Sequence, residues 1–91
     1  GLPVTVLKYV GMTTSQKIVL TCFTPVGDYI AAEKFVTSIT DQFIFIPLPF
    51  LQDIVDKIDP AIAGLMYTVT DDDGTNEDSP VREVTFYRSA K

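Results

Sequence analysis

The chain has 91 residues, 46% of them hydrophobic and 11% aromatic, with 7 basic against 12 acidic side chains for a formal net charge of −5. That length supports one domain with a single core, and so apolar a composition excludes intrinsic disorder. A surface this acidic repels phosphate, which excludes nucleic acid and anionic lipid as partners.

The first predicted strand is "PVTVLKYV" (3–10), closed by Gly11. "KIVLTCFT" (17–24) follows, with Ile18, Leu20 and Cys22 alternating onto one face and Pro25 and Gly27 ending the run. Cys22 is the one cysteine of the chain and has apolar neighbours, so it reads as a small buried side chain rather than a reactive thiol. "YIAAEKFVTSI" (29–39) holds one or two strands, and its charged Glu33 and Lys34 mark an exposed edge. "QFIFIP" (42–47) is almost continuously apolar, so both of its faces are expected to be covered, those of Phe43 and Phe45 included.

In "PFLQDIVDKIDP" (49–60), Phe50, Ile54, Val55 and Ile58 recur at helical spacing behind a proline suited to a first turn, and Pro60 stops the run. A short helix near residues 49–58, laid across one end of the β-structure, is the expectation. "GLMYTVTD" (64–71) and "VREVTFYR" (81–88) complete the set. Leu65, Tyr67 and Val69 share one face, as do Val84 and Phe86, and Tyr67 and Tyr87 are expected to pack across a sheet. The fold class is therefore all-β, an immunoglobulin-like antiparallel β-sandwich of about seven strands with one short helix, a small barrel being the rival. The core should comprise Val4, Val6, Ile18, Leu20, Ile44, Ile46, Tyr67, Val69, Val84 and Phe86.

Between the last two strands lies "DDDGTNEDSP" (71–80). Asp71, Asp72, Asp73, Asn76, Glu77 and Asp78 offer oxygens of the kind calcium takes in sets of about six to eight. Their order is not that of an EF-hand loop. Asp-Gly is the favoured pair where a turn needs positive φ, and Asn, Asp and Ser support tight turns by local hydrogen bonds. A hairpin turn is preferred, with calcium binding by residues 71–78 left as the alternative.

Four motifs, in order, carry a family resemblance. "VTVLKYVGM", "SQKIVLTCF", "FIFIP" and "YTVTDDDGTNEDSPVREVTF" resemble successive segments of the immunoglobulin-like repeats found in tandem in large bacterial surface and secreted proteins of adhesin type. The resemblance spans nearly the whole chain. Cys22 stands where those repeats usually have tryptophan, and "LPFLQDIVDKIDPAIAG" is more hydrophobic than their usual connection. The resemblance implies a non-catalytic spacer, presenting or adhesion module, extracellular or at the cell surface, whose partners are neighbouring domains of the same chain. Residues 1–91 then form a single immunoglobulin-like domain, one module of a larger protein, with its termini at opposite ends.

Catalysis is argued against by composition: there is no histidine, Gly-rich phosphate loop, Gly-x-Ser-x-Gly or Cys-His pair. No catalytic, cofactor-binding or metal-binding residue is assigned, no cofactor is expected, and no run is long and apolar enough to insert in a membrane. The rival functions are a ligand-binding module that recognises carbohydrate or a protein partner, and a calcium-rigidified repeat in an array. For the first, tyrosines 9, 29, 67 and 87, or an outward Phe43/Phe45 pair, are the residues to cite.

Overall fold

The computed structural model describes residues 1–87, so the end of the expected 81–88 strand, Arg88, lies outside the described residues. Seven strands and one helix follow in the order β1 (Leu2–Val6), β2 (Lys17–Thr24), β3 (Gly27–Phe35), β4 (Gln42–Ile46), α1 (Leu48–Lys57), β5 (Ala61–Thr70), β6 (Asn76–Asp78) and β7 (Arg82–Phe86). They form two antiparallel sheets, β1 with β4 in one and β3-β2-β5 with β6 and β7 in the other.

Alternation along β2 sends Ile18, Leu20 and Cys22 to the interior, where all three are buried. Thr24 and Gly27 close a tight hairpin into β3. The Thr24 hydroxyl donates to the Gly27 carbonyl at 2.8 Å and accepts the Val26 N–H at 3.2 Å. Gly27 sits at φ +142°, a backbone region that side-chain-bearing residues rarely enter. The register slips between Leu20↔Ala32 and Thr21↔Ile30, leaving Ala31 as the extra residue of a bulge. Ala31 and Ala32 both pack on the core, so each must be small. β3 is one strand, not two, and it is an edge as expected.

β5 is long enough to serve two partners along one edge. Ala61–Leu65 pair with β7, Thr68–Thr70 pair with β6, and Tyr67 falls between. Ser79 fills that gap: its N–H donates to the Tyr67 carbonyl at 2.8 Å, and its hydroxyl accepts the Tyr67 N–H at 2.9 Å. Pro80 has no N–H to continue the ladder, so the chain re-enters it only at Arg82.

The two sheets share one core. Val6, Ile44 and Ile46 from the smaller sheet meet Ile18, Leu20, Cys22, Ala63 and Val69 from the larger, and Met12, Ala31 and Val36 join them. The other four expected core residues, Val4, Tyr67, Val84 and Phe86, are half-buried and pack against this cluster. Helix α1 follows β4 after Pro47, whose carbonyl accepts the N–H groups of Phe50 and Leu51. Pro49 stands in the first turn, where no N–H is needed. Ile54 and Val55 are buried, and the helix ends as Ile58 turns extended while its N–H still reaches the Ile54 carbonyl at 3.1 Å. Lys57 pairs with Asp53 at 2.8 Å and lies 5.3 Å from the centre of the Tyr29 ring, which meets Phe50 edge-on at 6.4 Å.

Four expectations need correction. The first strand stops at Val6, because beyond it the chain turns to other bonds: the Lys8 N–H goes to Asp41 Oδ1 at 2.7 Å and the Tyr9 hydroxyl to Gln16. β4 is covered on one face only: Gln42, Ile44 and Ile46 are buried while Phe43 and Phe45 stand 68% and 61% exposed. β4 and β1 form a two-stranded sheet whose outer face no described element covers. Tyr87 lies past the end of β7 and is 71% exposed, so it does not pack across a sheet. The described ends of the chain also share one end of the fold. Leu2 pairs with Ile46 just before α1, and Phe86 pairs with Ala61 just after it.

Candidate functional site

Three features of the surface have the chemistry or shape to do something: the acidic hairpin, the outward aromatic pair and a groove beside β1.

The acidic hairpin is a turn, as its sequence anticipates. The Asp71 N–H donates to the Thr75 carbonyl at 2.9 Å and the Gly74 N–H to the Asp71 carbonyl at 3.0 Å, with Gly74 at φ +86°. Three of its polar side chains are spent locally. Asp73 Oδ1 accepts the Thr75 N–H at 2.9 Å, Asn76 Oδ1 accepts the Thr70 hydroxyl at 2.8 Å, and Asp78 Oδ1 accepts the Thr68 hydroxyl at 2.8 Å. The bonds from Thr75 hold the Asp73 carboxyl below the usual carboxylate range, because they stabilise its charged form. Among the described residues no three Asp, Glu, Cys or His side chains converge as a cation site would need.

One buried side chain anchors this end, and the sequence reading missed it. Gln16 is 5% exposed and uses both ends of its amide. Its Oε1 accepts the Tyr9 hydroxyl at 2.6 Å and the Thr13 N–H at 3.1 Å, and its Nε2 donates to Asp71 Oδ1 at 2.7 Å and the Gly11 carbonyl at 3.2 Å. The 7–16 loop is thereby tied to the hairpin 55 residues further on. Burial, then the proximity of Tyr67, Asp71 and Glu77, raises the pKa of the Tyr9 hydroxyl and keeps it a donor. Gln42 plays a similar part for the loop before β4, donating to the carbonyls of Ser38 at 2.9 Å and Thr40 at 2.7 Å. The one signal available was polarity at a position leading into an apolar strand, as in "SQKIV" and "DQFIF".

Phe43 and Phe45 project from the outer face of β4, opposite Thr5 and Pro3 of β1. The face is apolar and open. Cys22 is buried between the sheets, and burial raises the pKa of its thiol, so it stays neutral and shielded from reagents.

The groove has a volume of about 530 Å³ and runs along β1. Val4 to Leu7 form one wall, Leu65 to Tyr67 of β5 the floor, and Ser79, Pro80, Arg82 and Val84 the far wall. It is largely apolar, and Arg82 is the one charged side chain lining it. Of the four tyrosines considered for sugar binding, only Tyr67 lines this groove. Among the described residues no helix is long and apolar enough to cross a membrane. Compared with protein families, curated proteins and solved structures, the chain matches none.

Proposed function

We propose that this domain is an immunoglobulin-like β-sandwich serving as a non-catalytic structural or adhesion module of a larger bacterial surface or secreted protein. The observation that carries the reading is the way the chain exchanges between layers. It leaves β1 for β2 and β3 in the other sheet, returns to pair β4 with β1, then crosses through α1 to β5, β6 and β7. Immunoglobulin-type sandwiches exchange strands between their two sheets, which supports the reading, as do the four ordered sequence motifs. The proposed partners are neighbouring domains of the same chain, and the proposed location is extracellular or at the cell surface.

With both described ends beside α1, the acidic hairpin lies at the opposite end of β5. A module of this shape works by presenting that far end and by staying folded, with an acidic surface that resists self-association. An antibody raised against the domain tests the placement. Intact cells of the source, or their culture medium, should carry the signal, and a signal seen only after lysis would refute it.

A second reading has a specific observation behind it. Two neighbouring exposed phenylalanines on β4 fit a carbohydrate or protein partner better than bare solvent. Glycan-array binding that disappears in a Phe43→Ser/Phe45→Ser double variant would establish this reading in place of a plain spacer.

A further inference from the structure

Strand edges carry unpaired backbone donors and acceptors, so a folded chain either defends them or adds another strand to them. Most edges here are defended. β3 carries Asp28, Glu33 and Lys34 and is bent by its bulge, and β6 is three residues of Asn-Glu-Asp. The free edge of β4 turns towards β3, where Lys34 Nζ donates to the Phe43 carbonyl at 3.2 Å. β7 is preceded by Pro80 and begins with Arg82 and Glu83.

β1 is the exception. No charged side chain stands between Leu2 and Leu7, and Pro3 removes a single backbone donor. Its side away from β4 pairs with no strand among the described residues. The groove opens directly beside that edge. Val4, Leu65, Tyr67 and Val84 point into the interior yet remain only half-buried, because they line the groove. The smaller sheet thus stops one strand short of covering the larger.

We propose that this groove accepts one extended segment of a second polypeptide, added to β1 as a further strand. Its main chain bonds the free edge of β1, and its alternate apolar side chains descend onto Leu65, Tyr67 and Val84. Charge selects a feature of the sequence: Arg82 makes no ion pair among the described residues, so a carboxylate on the incoming segment completes it. This proposal goes beyond the function proposed above and does not depend on it.

The test titrates the ¹⁵N-labelled domain with a soluble seven-residue peptide of alternating threonine and valine that ends in aspartate. Saturable shifts at Thr5, Leu7 and Val84 are expected, with loss of binding when alternate peptide nitrogens are methylated. Arg82→Glu should weaken binding by about tenfold, the equivalent of about 1.4 kcal/mol, without altering the far-UV spectrum. Equal binding of the methylated peptide, shifts confined to the Phe43 and Phe45 face, or no shifts at millimolar peptide would each overturn the proposal. So would sedimentation of the domain as a dimer through β1, since a second copy would then fill the groove.

Discussion

The two ends of this molecule are held by different physics. At one end α1 buries Ile54 and Val55, and its Phe50 and Lys57 meet the ring of Tyr29. At the other, the amide of Gln16 makes four hydrogen bonds, three within the 7–16 loop and one to Asp71 of the acidic hairpin. The first end is stabilised in proportion to apolar area removed from water. The second depends on polar groups whose cost rises sharply when a single partner is lost. The lesson is that an apolar end degrades gradually with lost volume, whereas a polar one fails by leaving buried groups unsatisfied.

The largest effect should come from the apolar end and the core behind it. Ile54→Ala and Leu20→Ala should each cost about 2–5 kcal/mol in denaturant melts, and an unchanged midpoint would show that these positions are not packed as described. Gln16→Ala should cost about 1–3 kcal/mol by stranding Tyr9 and Asp71. Hydrogen exchange should then accelerate at the Asp71 and Gly74 amides while α1 keeps its protection. Acceleration spread evenly over both ends would mean that they are one cooperative unit and the contrast is false.

Smaller effects sharpen the contrast further. Phe43→Ser and Phe45→Ser should stay within about 0.5 kcal/mol of the parent, as exposed positions do, even though they flank Ile44. A loss of several kcal/mol would place them inside the fold. The smallest effect is one of pH. The folded-state pKa of Asp73 is lowered by its bonds from Thr75, so its contribution is present above the unfolded carboxylate value of about 3.9 and is lost as pH falls through the folded value. Asp73→Asn should therefore lower stability at neutral pH by an amount that shrinks as pH falls through that acid window, and a difference that stays constant into acid would assign the effect to another cause.

What the sequence disclosed follows the same division. The bounds of β2 coincide with "KIVLTCFT" because its alternation is clean and Pro25 and Gly27 close it. The α1 segment was legible because Phe50, Ile54, Val55 and Ile58 recur at helical spacing ahead of Pro60. Six of the ten expected core residues are buried in the observed core and the other four pack half-buried against it, since period-two burial is a local property of a strand. β4 was misjudged for a physical reason. Its outward residues are as apolar as its inward ones, so composition could not show that the sheet has a bare outer face. The role of Gln16 was hidden because its partners lie as far as 55 residues away and no periodicity announces a hydrogen bond. The split of the β5 edge between β6 and β7 was equally hidden, although Ser79-Pro80 is its local cause. Of the candidate surfaces, the hairpin turn was legible and the groove was not, because a groove is a relation between two sheets.

The pairing of Leu2 with Ile46 and of Phe86 with Ala61, on either side of α1, has a mechanical consequence. Tension applied between residues 2 and 86 would peel the β1–β4 and β7–β5 ladders from their tips, rupturing bonds one at a time. Tension between residues 2 and 73 would instead pull along the strands and load many bonds at once. Force spectroscopy with handles at the two pairs of positions should find the weaker direction to be the first, and equal rupture forces would show that the geometry of the ends does not govern mechanical resistance.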